Sequence, residues 1–136
     1  MPAHRVARLD EIPQAAEPEP GSYVWKPVRH HLGVTAFGVN AWIGREPGDW
    51  VIEEHVEEIE GGSPHEELYY VASGRATFLV DGDEIDAPTG TFVFVPDPMV
   101  KRGARAVETD TAVIAVGAAP GIAYEVSPWE RKHWDE

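Results

Sequence analysis

Residues 55–74 read His-Val-Glu-Glu-Ile-Glu-Gly-Gly-Ser-Pro-His-Glu-Glu-Leu-Tyr-Tyr-Val-Ala-Ser-Gly. The stretch holds the densest cluster of possible metal ligands in the chain: His55, Glu57, His65 and Glu67. It runs directly into an apolar strand, residues 68–72, that ends at the turn Ser73-Gly74. Side chains alternate between faces along a strand. His65, Glu67, Tyr69 and Val71 therefore share one face, and His55 and Glu57 share a face on the segment before. If the two segments are neighbours, their polar residues converge at one end of a cavity, and the rest of the chain is its container.

Working outward, turn signals divide the sequence into short strands. Glu46-Pro47-Gly48-Asp49 is a turn, residues 50–57 a strand, and residues 60–64 a flexible loop. Strands at 68–72 and 76–80 flank Ser73-Gly74-Arg75. Asp81-Gly82-Asp83 is a hairpin signal, because Asp-Gly accepts the positive φ of a type I′ turn. A short strand at 84–87 leads to the turn Pro88-Thr89-Gly90, and the strand 92–95 stops at Pro96-Asp97-Pro98. Residues 99–106 read as extended, 111–116 as a last apolar strand, and 117–121 as a turn. Upstream, strands are expected at 23–26 and 34–43, with Gly38 a bulge or close approach. His30 and His31, read as adjacent strand residues, would point to opposite faces, so at most one faces the cavity. No segment offers a helix of three turns. Many short strands, with turn signals every 8–12 residues or so, argue for an all-β sandwich or barrel.

The chain has 136 residues, enough for one domain with a real core. It has no cysteine, which removes disulfides, thiolate metal sites and cysteine nucleophiles. No apolar h-region follows Met1, and no apolar run approaches the ~18 residues of a membrane span. The expectation is a protein of the cytoplasm. The formal charge of −13, from 24 acidic against 11 basic residues, repels phosphate backbones and argues against nucleic acid. Five tryptophans suggest flat contacts inside a cavity or at a subunit interface.

Two segments match a known pattern. Glu66-Glu67-Leu68-Tyr69-Tyr70-Val71-Ala72-Ser73-Gly74 resembles the second half of the first cupin motif, a Glu followed later by Gly. Gly90-Thr91-Phe92-Val93-Phe94-Val95-Pro96 resembles the start of the second, Gly, five residues, Pro. Their order and the Asp-Gly hairpin between them agree, and the resemblance covers roughly residues 34–117. It implies a single-domain, all-β, cupin-like antiparallel jelly-roll barrel. Residues 1–22 would be an N-terminal arm in which Val6, Leu9 and Ile12 make one amphipathic turn. Residues 23–120 would be the barrel. Residues 121–136 would be a tail packing on it, with a helical turn around 128–133. The resemblance also implies a homodimer, with the segment 23–25 packing on the partner subunit.

The family's metal site uses His-x-His, the motif-one Glu and a motif-two His. Here Glu67 matches the Glu, and His55-Val56-Glu57 falls where His-x-His belongs, with Glu57 in place of the second His. Residues 58–64 then look like an insertion; a register without it puts Gly61 and Ser63 at the His positions. The motif-two His falls at Lys101. Two site readings follow. In one, His55, Glu57, His65 and Glu67 hold one divalent metal ion, Zn, Fe, Mn or Ni. In the other, the site is metal-free, with Lys101 paired to Glu67 or acting in proton transfer. His55, Glu67, Tyr69 and Lys101 are the candidate catalytic residues. The implied function is a small-molecule-binding barrel catalysing isomerisation, cyclisation or oxygen insertion on a small organic acid or polyketide-like ligand. The alternative is a non-catalytic, metal-free ligand-sensing or structural module. Arg102 and Arg105 would bind a substrate carboxylate or pair with the acidic excess nearby. Trp42, Trp50, Tyr69, Phe78, Phe92 and Phe94 would line the barrel and its core. Phe78, Val80, Phe92, Val113 and Ile114 are expected among the buried positions.

Overall fold

The computed structural model describes residues 3–57 and 64–134. Nine strands are described: β1 (Val24–Lys26), β2 (Gly38–Gly44), β3 (Trp50–His55), β4 (Glu66–Ser73), β5 (Arg75–Val80), β6 (Asp83–Pro88), β7 (Phe92–Val95), β8 (Arg102–Ala106) and β9 (Thr111–Ala118). They form two antiparallel sheets, one in the order β1-β2-β9-β4-β7 and the other β3-β8-β5-β6. The all-β expectation holds, and the Asp81-Gly82 turn has the expected positive φ at both residues, 51° and 84°. No described helix is long and apolar enough to cross a membrane.

The sheets enclose one core. Tyr69, Val71, Val93, Val95, Val113 and Ala115 come from the five-stranded sheet. Val51, Ile52, Ala76, Phe78, Ala104 and Ala106 come from the four-stranded one. Tyr69 and Phe78 meet across the gap with ring centroids 5.6 Å apart. Burying a ring such as Phe78, fully enclosed here, stabilises the fold by roughly 1.5–3 kcal/mol. Gly74 makes a close approach. Its φ is +73°, and a Cβ there would lie 2.8 Å from Thr111 Cα, so only glycine closes the β4–β5 turn against β9.

Several expectations need correction. Phe92 and Phe94 are not core residues; they are 65% and 54% exposed. Their neighbours Val93 and Val95 take the inward face of β7, so strand alternation leaves the two rings on the outer side. Phe78 and Val113 are fully buried, whereas Val80 and Ile114 are half-buried. His30 and His31 lie on a helix, α1 (Val28–Leu32), not a strand. Gly33 ends that helix in the left-handed conformation, its N–H donating to Arg29 O at 2.8 Å. Within the chain, segment 23–25 pairs with β2 through Val24 and Trp25. Val24 pairs with Ile43 of β2, and Trp25 is buried with its indole N–H donating to Asn40 Oδ1 at 3.0 Å. Gly38 is a close approach, since a Cβ there would sit 2.8 Å from the Tyr124 hydroxyl.

The C-terminal residues return to the same region. A short helix, α2 (Pro128–Arg131), sets Trp129 against Trp25 and Trp42, with centroids 5.1 and 5.9 Å apart. It also buries Glu130, which accepts a 2.6 Å hydrogen bond from Arg29 Nε of α1. This ion pair ties α1 to α2, beside one end of the cavity between the sheets.

Candidate active site

His55 is the last residue of β3, and its register partner is Arg102, the first residue of β8. Glu67 and Tyr69 lie two apart on β4 and share its inward face. Glu57 follows β3 and is held by its backbone N–H, which donates to Pro98 O at 2.7 Å. The side chains converge as the alternation argument requires. His55 Nε2 is 2.6 Å from Glu57 Oε1 and 3.7 Å from Glu67 Oε1. The nearest ligand atoms of His55, Glu57 and Glu67 all lie within 4.8 Å of one another. His55 Nδ1 sits 2.7 Å from Glu53 O. A carbonyl can only accept, so Nδ1 carries a proton and Nε2 is the atom aimed at the carboxylates.

Glu67 is fixed from behind. Its Oε1 accepts from the Tyr69 hydroxyl and from Arg102 Nη1, the latter at 3.1 Å. Arg102 is fully buried, and its remaining donors go to Val100 O at 2.8 Å and Asp97 O at 3.0 Å. The chain thus places a guanidinium where a lysine or a metal ligand was expected.

No protein-family model matches the sequence, and no curated protein matches it. Solved structures do. A cupin protein from Bacteroides fragilis is 19% identical, with 93% of each chain covered and a TM-score of 0.59. A predicted oxalate decarboxylase from Thermotoga maritima is 18% identical, covering 83% of this chain and 97% of that one, with a TM-score of 0.63. A sugar phosphate isomerase of the cupin superfamily from Silicibacter pomeroyi is 19% identical, with a TM-score of 0.57. That match takes in 71% of this chain and 59% of the isomerase. The chain has the cupin fold.

Placed on that cupin barrel, the sequence-derived residues separate. His55, Glu57, Glu67 and Tyr69 come together. His65 is buried and lines the same cavity, but it lies outside the three-residue ligand group and packs its ring 5.4 Å from that of Tyr124. Lys101 is turned away. Its side chain is 67% exposed, its ammonium is 2.9 Å from Glu54 Oε2, and it does not line the cavity. The lysine-filled site is therefore wrong by one residue. Alternation at the start of β8 sends Lys101 out and Arg102 in, the parity shared by buried Ala104 and Ala106. Those two small apolar residues were the available signal. Arg105 goes outward, its guanidinium 3.8 Å from the centre of the Trp50 ring.

The cavity has a volume of about 350 Å³. The acid–base cluster lies in its wall, as do the aromatic residues Tyr23, Trp42, Tyr124 and Trp129. The electrostatics follow from the packing. Burial would lower the basicity of His55, but hydrogen bonds to Glu57 and Glu67 outweigh it and carry the imidazole up to about 10. Burial and the neighbouring Glu67 charge push Glu57 up to about 7, against the pull of His55. Burial opposes ionisation of Glu67 too, but donors from its surroundings win and hold it down to about 2. Two carboxylates in one site separate in this way because both cannot ionise freely. Tyr69 is raised by burial and then by Glu67. His65 is lowered by burial.

The donor set fits a divalent metal: one imidazole anchored through Nδ1, which leaves Nε2 for the ion, and two carboxylates within reach. Such an ion would be held by His55, Glu57 and Glu67 and would supply Lewis acidity at the barrel site. His55 and Arg102 are the basic groups that contact these two carboxylates, at 2.6 Å from Glu57 and 3.1 Å from Glu67.

Proposed function

We propose that this cupin binds a small organic molecule in its barrel and moves a proton on it, as in an isomerisation. Glu57 is the proton carrier, His55 its charged partner, and Glu67 a fixed anion. The observation that carries the reading is the 2.6 Å His55 Nε2–Glu57 Oε1 contact in the cavity wall, beside a Glu67 locked by Arg102 and Tyr69. A carboxyl held near neutrality is suited to both accepting and returning a proton at cellular pH. The imidazolium stabilises the carboxylate form, and Glu67 keeps the imidazolium charged. Tyr69 OH, engaged with Glu67, positions that anion.

The second reading is a resident metal at His55, Glu57 and Glu67, favoured by the carbonyl-anchored Nδ1. A metal would have to displace the proton on Nε2 and tolerate the guanidinium behind Glu67, so the metal-free form is preferred. We also propose a homodimer in the cytoplasm. Phe92, Phe94 and Leu68 form an exposed, uncharged patch at the β7 edge of a strongly acidic chain, where a second copy meets no like charge.

The test is metal analysis of protein purified without chelator or nickel resin, with hydrogen exchange of small ketones followed by proton NMR in D2O. The expected outcome is substoichiometric metal and α-proton exchange that persists in EDTA and falls on the order of 100-fold in Glu57→Gln. Stoichiometric metal, lost together with exchange in Glu67→Ala, would establish the metal reading instead.

A further inference from the structure

We propose that the cavity selects a cationic ligand, an amine-bearing compound with a flat apolar body, whose ammonium sits at Glu53 beside Tyr23 and Trp42. The inference rests on the reading of the cavity as a ligand site and deepens it by naming the ligand class. It reverses the small organic acid suggested by the sequence.

The charge census of the wall carries it. Five carboxylates line the cavity, those of Glu53, Glu54, Glu57, Glu67 and Glu130, and among the described residues no Lys or Arg does. By sequence, residues 58–63 supply no basic residue either. Four of the five carboxylates each face one cation of the protein: Glu54 with Lys101, Glu57 with His55, Glu67 with Arg102 and Glu130 with Arg29. The two arginines are 0% and 4% exposed and lie behind the wall, each donating to its carboxylate and to backbone carbonyls. Glu53 differs. The group on its carboxylate is a neutral hydroxyl, Ser22 Oγ at 2.8 Å. Its charge is felt by Tyr23, whose ionisation is suppressed first by burial and then by Glu53.

The rings beside it complete the site. Tyr23 and Trp42 meet edge to face with centroids 4.8 Å apart, and Trp129 closes on Trp42 at 5.9 Å. A carboxylate with no cation on it among the described residues, at the edge of aromatic faces, attracts an ammonium through both its charge and the ring quadrupoles. Among the described residues, an anionic ligand would find no guanidinium or ammonium in the wall, only the His55 ring already engaged by Glu57, and five carboxylates. The flat body of the ligand would lie along Trp42 and Trp129, whose fluorescence reports on occupancy.

The experiment titrates the full chain with three matched probes, 2-phenylethylamine, 2-phenylethanol and 3-phenylpropionate, following tryptophan fluorescence at pH 7. The amine should bind on the order of tenfold more tightly than the acid, with the alcohol between, because the exposed Glu53 carboxylate modestly attracts the one and repels the other. Glu53→Gln should remove the preference of the amine over the alcohol and leave the alcohol unchanged, since only the charge contact is removed. Added salt should weaken the amine alone. An acid that binds as tightly as the amine, or an amine preference that survives Glu53→Gln, overturns the charge assignment and leaves the cavity a ligand site. Failure of all three probes to bind, the neutral alcohol included, overturns the ligand-site reading and this inference with it.

Discussion

Arg102 and Lys101 are adjacent basic residues in opposite environments, and replacing each with methionine separates the account from a generic charge effect. Arg102 is fully buried and donates to Glu67 Oε1 and to two backbone carbonyls at 2.8–3.1 Å. Arg102→Met keeps much of the volume but leaves the Glu67 carboxylate without its guanidinium in a buried setting, which costs about 3–5 kcal/mol. For a domain of this size that is a drop in Tm of roughly 10–15 °C. Lys101 pairs with Glu54 in an arrangement 67% and 34% exposed. Its replacement should change stability by no more than ~1 kcal/mol. Thermal melts by circular dichroism, checked by urea unfolding, decide between them. A melting point for Arg102→Met within a few degrees of the parent, or no lower than that of Lys101→Met, would refute the claim that Arg102 holds the site together.

In the proposed dimer, Phe92→Lys with Phe94→Lys should give a folded monomer by light scattering, whereas the parent elutes as a dimer; a monomeric parent removes the interface. The pH dependence of stability has a defined sign. His55, raised to about 10 from 6.5, contributes stability fully present below 6.5 and lost as pH rises through 10. Glu67, lowered to about 2 from 4.5, contributes stability present above 4.5 and lost as pH falls through 2. Glu57, raised to about 7 from 4.5, contributes stability present below 4.5 and lost as pH rises through 7. His55→Gln should flatten the alkaline limb of the urea-unfolding profile.

The barrel was legible because its signals are local. Asp81-Gly82 dictates its own turn, and the apolar alternation of β4 fixes which way Glu67 and Tyr69 point. The convergence of His55 and Glu57 on Glu67 was legible for the same reason. Phe92 and Phe94 were misplaced because hydrophobicity does not say which face of an edge strand is inside; the smaller Val93 and Val95 fill the inner side. Motif spacing points to Lys101, one residue short of the inward position set by the parity of Ala104 and Ala106. The contributions of Arg29, Asn40, Tyr124 and Glu130 had no sequence signal. Glu130 pairs with a residue 101 positions away, and only the return of the tail to α1 brings the two together.

The central claim is that His55, Glu57, Glu67 and Arg102 form a charge-balanced, proton-carrying centre that needs no metal. Nitrogen-15 NMR of labelled His55 across a pH titration of the protein as purified tests it most directly. The account predicts an imidazolium, with both ring nitrogens protonated, at pH 7 and through pH 8, losing its proton only toward 10. A neutral ring at pH 7 with Nε2 bare, whether titrating near 6.5 or bound to a metal, would contradict it.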